Sequence, residues 1–325
     1  MNSQVRNLTL PEIDGVFSTY QKIRKWIPRS PLIKAPSLGP NCWLKLETLM
    51  PTGSFKVRGA FASLLKISDG TSIVSCSAGN HGLALAYAAT KLKAKACIVV
   101  SEAASPRKIE LLKQSSVELV IQGANYDQAE DYARGLAEIR NAYYLSPYND
   151  PEVILGQASV GLEILELFSE EVTVVSPIGG GGLLAGVGMA LSTRPGSIAI
   201  GVEAENSAPM KVALKMGEVT KIPIGRTVAD GLAGNLEDGT ITLDLLQRYA
   251  PETLTVSEKE IHDAMGHLAD HYGILSEGAG AVGIASVLSG KVTSTREQPL
   301  VVLVTGRNVR TDTWVDILYN KNSII

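Results

Sequence analysis

Cysteine, histidine and aromatic residues are scarce in this 325-residue chain, which has three cysteines, four histidines and 5% Phe, Trp and Tyr together. Cys42, Cys76 and Cys97 form no CxxC pair and no disulfide-like framework. That pattern excludes a stapled secreted scaffold and suits three small apolar side chains in a reducing compartment, the cytoplasm. Runs of one charge are missing too. The 30 basic and 33 acidic residues are interspersed, for a net charge of -3, so there is no nucleic-acid footprint and no polybasic membrane patch. No apolar run approaches the roughly 20 residues of a membrane span, and the start, Met1 to Asn7, is polar where a secretory signal places its apolar core. The expected partners are small molecules and further copies of the chain, with no nucleic acid and no membrane.

What is present is ordinary for a soluble globular protein: 45% hydrophobic and 19% charged residues. The length exceeds what one core holds comfortably, so the chain is expected to form two domains or one large α/β domain. Short β-branched runs alternate with longer stretches of helical period, which predicts parallel sheet covered by helices. Strands are expected at Ile73 to Cys76, Ala96 to Val100, Val117 to Ile121, Val172 to Ser176, Ile198 to Val202 and Leu300 to Val304. Helices are expected over Leu83 to Leu92, from Pro106, over Tyr126 to Ile139 and after Gly182. Between Asn141 and Pro151 the rhythm breaks on Pro147, Asn149, Asp150 and Pro151, as at a crossing between domains.

In open α/β sheets ligands sit beyond the carboxyl ends of strands. Gly179-Gly180-Gly181-Gly182 follows a strand and opens a helix, leaving successive N–H groups unshielded beside a positive helix end; this makes a phosphate cradle or a tight turn. It lacks the lysine of a P-loop and the acidic residue of a dinucleotide fingerprint. Ser77-Ala78-Gly79-Asn80-His81 is a second strand-to-helix turn, suited to a carboxylate or to simple capping by Ser77 or Asn80. The third element is Thr52-Gly53-Ser54-Phe55-Lys56. A lysine between apolar neighbours loses solvation and gains nucleophilicity, although a lone lysine reads equally as a surface residue.

Taken in order along almost the whole chain, these elements resemble the fold-type II pyridoxal-phosphate enzymes. The motifs are Thr52 to Lys56, Ser77 to His81, Gly156-Gln157, Gly179 to Gly182, Val202 to Glu205, Asp230-Gly231, Ser276 to Ala281 and Thr305 to Asn308. The superfamily is that of the tryptophan synthase β subunit, and the resemblance is strongest to its threonine/serine dehydratase branch, with serine racemases as near relatives. It implies an α/β fold of two domains, each an open, mostly parallel twisted sheet with helices on both faces. Residues 1–61 and 150–325 would form a large cofactor-binding domain, and residues 62–149 a small mobile domain carrying the substrate-carboxylate loop. It also implies a homodimer.

By the same resemblance Lys56 carries pyridoxal 5'-phosphate and serves as base at the substrate α-carbon. Phe55 packs by the cofactor ring, Asn80 bonds its 3'-oxygen, Gly179, Gly180, Gly181 and Gly182 hold its phosphate, and Glu277 stands beside it. Thr305 faces the pyridine nitrogen. Ser77, Gly79, Asn80 and His81 grip the substrate carboxylate. A neutral hydroxyl at Thr305 cannot hold a full pyridinium, which favours expulsion of a β-leaving group over transamination.

Ala78 stands where serine racemases carry a proton-donating serine, so dehydration is preferred to racemisation. His81 and Val57 depart from the Thr and Asp usual in β-replacement enzymes. The expected reaction is α,β-elimination from a β-hydroxy amino acid, threonine or serine first, giving a 2-oxo acid and ammonia. The alternatives are an ammonia-lyase for 3-hydroxyaspartate or an aryl-serine, a serine racemase, a β-replacement synthase and a non-catalytic cofactor-binding sensor. Arg307, where many dehydratases have glycine, either favours an acidic β-substituent or turns away into a salt bridge. No metal site is expected: Glu203 matches one cation ligand of racemase-like relatives, but Pro209 stands where they have an aspartate. His262, His267 and His271 read as solvated residues of an amphipathic helix over Glu258 to Tyr272.

Overall fold

Strands rich in Val, Ile and Leu on both faces must be covered on both faces, and the chain does this twice. A computed structural model describes residue 6 and residues 8–67, 70–312 and 314–315; the polar start lies outside them apart from Arg6. The first elements are α1 (Ile13–Ile23), β1 (Leu32–Lys34), β2 (Cys42–Leu46) and α2 (Lys56–Lys66). Then come β3 (Ile73–Cys76), α3 (Asn80–Leu92), β4 (Ala96–Val100), α4 (Pro106–Lys113), β5 (Glu118–Ile121), α5 (Tyr126–Ile139) and β6 (Tyr143–Tyr144). The remainder is α6 (Pro151–Leu165), β7 (Thr173–Pro177), α7 (Gly182–Leu191), β8 (Ile198–Ala204), α8 (Pro209–Met216), α9 (Ile241–Tyr249), β9 (Glu252–Val256), α10 (Glu258–Tyr272), α11 (Gly278–Leu288) and β10 (Leu300–Val304).

The architecture is α/β with two mostly parallel sheets flanked by helices. One sheet runs β1-β2-β10-β7-β8-β9, the other β5-β4-β3-β6. Among the described strands only β1 runs antiparallel, on the edge against β2. Central strands β3, β4 and β10 are buried at every residue, which is why they read in sequence as unbroken apolar runs. The strand spans predicted for β3, β4 and β10 and the helix spans predicted for α5 and α10 are those observed. Helix α3 begins at Asn80, earlier than Leu83, because its first turn, Asn80-His81-Gly82, carries no apolar period to reveal it. The supposed crossing contains a strand: β6 pairs in parallel with β3, Ile73 opposite Tyr143. Of the two expected domain limits, 61/62 falls inside the continuous helix α2 and 149/150 at the cap of α6, where Asp150 accepts from Glu152 N and Val153 N.

Each sheet has a point where chain order reverses. From β7 the chain steps outward to β8 and β9, and β10 returns on the other side of β7; from β3 it steps to β4 and β5, and β6 returns on the other side of β3. Such points leave a crevice beyond the carboxyl ends of the two strands. Helix α2 packs against both α3 and α6.

Helix α2 is fixed by charge. Arg58 has no exposed surface and lies among Glu47 (0% exposed), Lys45 (1%) and Glu163 (3%). Its guanidinium donates to Glu47 through Nε at 2.8 Å and to Glu163 through Nη1 at 2.7 Å, while Lys45 Nζ reaches Glu163 at 2.7 Å. Burial alone would lower the Arg58 pKa, but the two carboxylates outweigh it and raise it. Close beside this network α2 and α6 touch backbone to backbone: a Cβ on Gly156 would lie 2.6 Å from Gly59 Cα.

Removing one member of a closed network of buried charges strands the others. Arg58→Met is therefore expected to cost about 3–5 kcal/mol, read as a lower urea midpoint at unchanged slope. A midpoint shift near zero would show the cluster to be replaceable.

Candidate active site

Lys56 opens α2, and its amine donates to the Pro147 carbonyl, just past β6, at 2.8 Å. The amine also lies 5.1 Å from the centre of the Phe55 ring. Burial lowers its pKa from 10.5 to about 8, against the opposing pull of Glu277. The loop that delivers it is fastened to the end of β10: Phe55 N donates to Thr305 O at 3.1 Å and Arg307 N to Gly53 O at 3.0 Å. Thr305 is buried there, 3% exposed.

Across the cleft, Asn80 at the start of α3 donates through Nδ2 to Glu277 Oε1 at 2.6 Å, joining the two sheets' crevices. Asn308 completes the arrangement. Its Nδ2 donates to Asn80 Oδ1 at 2.6 Å and to Thr52 O at 2.8 Å, and its N–H to Glu277 Oε2 at 3.0 Å. Glu277 occupies the cap position of α11 without a side-chain capping bond. It is 6% exposed and no surface acid. Burial, resisted by the bonds from Asn80 and Asn308, raises its pKa from 4.5 to about 7.

Ser77 Oγ accepts from Gly79 N at 3.2 Å, and α3 opens at Gly79 with no side-chain cap. His81 turns its ring away from the cleft. Ser75 Oγ spends its proton on Leu145 O at 2.7 Å, so His81 Nε2, 3.0 Å away, must be the donor in that pair. Burial and then the charge of Lys56 hold its pKa down at about 3, so the imidazole is neutral.

The glycine loop closes the far wall. Gly181 takes a left-handed φ of 87°, the turn that aims successive N–H groups into one concavity, and α7 also starts uncapped by any side chain. Thr242 Oγ1 holds the Gly180 carbonyl at 2.8 Å. A Cβ on Gly180 would overlap the Tyr148 ring, and one on Gly182 would come within 2.8 Å of the Tyr148 carbonyl.

Elsewhere, Glu203 uses both carboxylate oxygens on the first turn of α8, accepting from Met210 N at 2.9 Å and Lys211 N at 2.8 Å. Arg307 is exposed, its Cγ and Nε lying over Gly53, and makes no ion pair among the described residues. His267 and His271 stack at 4.1 Å on α10, and among the described residues no three His, Cys, Asp or Glu groups are placed to share a metal ion.

The structure thus brings Lys56, Phe55, Asn80, Glu277, Thr305 and both anion-suited loops to one cleft. Pro147, Tyr148 and Asn308 join them, none of which the sequence marked as a site residue. Asn308 was visible only as the last letter of the Thr305 to Asn308 motif.

An anionic, ring-bearing aldehyde suits this cleft, as it offers a phosphate to the glycine loop and a carbonyl to Lys56. Two buried hydroxyls in Lys56's own loop, Thr52 Oγ1 and Ser54 Oγ, have no hydrogen-bond partner among the described residues and suit such a ligand. This is the class the family comparison defines: residues 23–306 match the model of the pyridoxal-phosphate dependent enzymes, and the chain belongs to that family.

Among relatives, it is 35% identical over 290 residues to the L-threonine ammonia-lyase of Thermotoga maritima, covering 88% of this chain and 71% of that one. It is 32% identical over 306 residues to the catabolic L-threonine dehydratase of Escherichia coli, covering 91% and 93%. The solved structure of maize serine racemase superposes with a TM-score of 0.86 at 28% identity, covering 96% of this chain and 98% of that one.

Two pH effects follow. The Lys56 amine is neutral above about 8 instead of above the ordinary 10.5, so the rate at which cofactor-free protein captures pyridoxal phosphate should rise with a midpoint there. A midpoint near 10.5 would mean a solvated amine. For Glu277 the folded value lies above the unfolded one, so the unfolded chain ionises first as pH rises. Folding stability should then fall between pH about 4.5 and about 7. In Glu277→Gln a pH series of melting curves should show a smaller fall, the remainder coming from Glu203, whose pKa burial also raises to about 7.

Proposed function

We propose that this chain is a pyridoxal-phosphate-dependent lyase that eliminates water from a β-hydroxy amino acid, threonine or serine, giving a 2-oxo acid and ammonia. The observation that carries the reading is the Lys56 amine: shielded, lowered to about 8, and placed between an uncapped helix start and a glycine loop.

Bound in this cleft, pyridoxal phosphate supplies an electron sink conjugated to the substrate's α-carbon. Lys56 would hold it through Nζ, and the same nitrogen, once free and neutral, would take the α-proton. Gly179 to Gly182 offer N–H groups to the phosphate. Ser77, Gly79, Asn80 and the backbone of His81 bind the substrate carboxylate at the positive end of α3. Asn80 is aimed for this by Glu277 and Asn308. Phe55 would pack by the cofactor ring, and Thr305 would offer the ring nitrogen only a neutral hydroxyl, too weak an acceptor to hold a full positive charge there. Ala78 has no proton to give to the opposite face of the α-carbon, which argues against racemisation.

Residues 62–149 form the unit that closes on substrate, and 1–61 with 150–325 the unit that holds the cofactor. The reading includes a cytoplasmic homodimer, which rests on the family resemblance and on three free, buried cysteines. A second substrate class, 3-hydroxyaspartate, is favoured by one observation, the exposed Arg307 lying over Gly53 without an ion pair among the described residues.

The purified protein should release 2-oxo acid from threonine or serine faster than from 3-hydroxyaspartate or aryl-serines, and Lys56→Ala should lose on the order of a thousandfold in rate. Ammonia release by that variant at the wild-type rate would remove the assignment, as would serine racemisation faster than elimination.

A further inference from the structure

The segment past β6 owes its position to a residue far along the chain. Glu237 lies in irregular structure before α9, with its side chain 14% exposed. Its carboxylate accepts from Ser146 Oγ at 2.6 Å and from Asn149 Nδ2 at 2.8 Å, and its own N–H donates to Tyr148 Oη at 2.7 Å. It therefore holds the residues on both sides of Pro147, whose carbonyl receives the Lys56 amine. The next turn continues the same clasp: Ile241 N donates to Asn149 Oδ1 at 3.1 Å, and Thr242 reaches Gly180.

Charge ties the same carboxylate to the small sheet's cover. Arg134 of α5 lies 3.2 Å from Glu237 Oε2 and also bonds Glu130 at 2.6 Å, whose Oε1 accepts from Tyr144 of β6 at 2.8 Å. Arg6 adds a second guanidinium at 3.5 Å. Among the described residues, the groups that reach the two oxygens, Ser146, Asn149, Arg134 and Arg6, are all donors. A glutamine would turn its own N–H₂ toward some of them, so the position calls for a carboxylate and not only for a polar side chain.

We propose that Glu237 is a positioning residue for the cleft. It sets the 146–149 segment so that the Pro147 carbonyl meets Lys56 and the Tyr148 ring meets Gly180, and it fastens α5 to the unit that holds the cofactor. This rests on the pyridoxal-phosphate reading of the cleft, but not on which amino acid is the substrate.

The test compares wild type, Glu237→Gln, Glu237→Ala and Ser146→Ala, which loosens the same segment from its other end. Titration of each cofactor-free protein with pyridoxal phosphate should show about tenfold weaker binding in Glu237→Gln and more in Glu237→Ala, the size of loss that a small misplacement of a binding group produces. Amide exchange should quicken in peptides covering 143–149 and 179–184, with the β10 peptide 300–304 unchanged. If Glu237→Ala does not fold, the other two variants decide. Unaltered cofactor affinity, or exchange raised evenly over all core peptides, would overturn the proposal and leave Glu237 a general stabilising residue. A wild type that binds cofactor but acts on no β-hydroxy amino acid would refute the lyase reading alone, because the titration and exchange do not involve substrate.

Discussion

The guanidinium of Arg58, sealed from water between two carboxylates, is the constraint from which the cleft takes its shape. A charge so placed must be neutralised by partners in fixed directions. The members of its cluster come from different places: Glu47 just after β2 and Glu163 on α6 pair with Arg58, and Lys45 on β2 pairs with Glu163. Two cations and two carboxylates balance, so the cluster can stay buried, and it admits only one arrangement of β2, α2 and α6. Networks of this kind add little net stability compared with an apolar core, but they punish any other register. Lys56 sits two residues before Arg58 on the same helix. Its direction is thus settled by a charge cluster that takes no part in the chemistry.

With Lys56 fixed, the rest of the cleft is made by what its helices leave unsatisfied. Several other helices are closed by side chains, Ser105 on α4, Asn125 on α5, Asp150 on α6 and the Ser257–Glu260 capping box on α10, while α1 and α8 have no cap bond from their N-cap side chains. Each such cap is worth about 1 kcal/mol. The helices that start at the cleft, α2, α3, α7 and α11, have no side-chain cap. Their first N–H groups stay available to a ligand, and the stability forgone is of the same order as what a bound anion returns.

Much of this could be read from the chain, because long apolar strands and glycine turns are local signals. Strands β3, β4 and β10 and the turns after β3 and β7 announce themselves in a few consecutive residues. The wall formed by Pro147 and Tyr148 does not. Strand β6 is only Tyr143–Tyr144, too short for a period of two to be visible, and the prolines after it look like a domain crossing. Asn308 meets Thr52 and Asn80, Glu237 meets Ser146 and Asn149, and Arg58 meets Glu163 across separations of 88 to 256 positions, and no spacing rule connects them. Glu277 illustrates the other limit: the family resemblance puts it beside the cofactor, but its local spacing is that of any acid at a helix start, and its burial is visible only in the fold.

The electrostatics of the cleft point the same way as its geometry. The ionisable groups turned toward it are biased to neutrality: burial lowers Lys56 to about 8 and raises Glu277 to about 7. His81 is neutral and turned to Ser75. No arginine or lysine other than Lys56 is among the groups that form the anion-suited turns, so phosphate and carboxylate would meet backbone dipoles in place of full charges. That choice matters for a lysine that must lose a proton to act. A neighbouring cation would serve the anions as well, but a fixed set of N–H groups binds them without adding a charged side chain that competes for the ligand's aldehyde or substrate's acid group. The cleft therefore keeps one reactive amine, and the charges needed to orient a substrate around it come from the backbone.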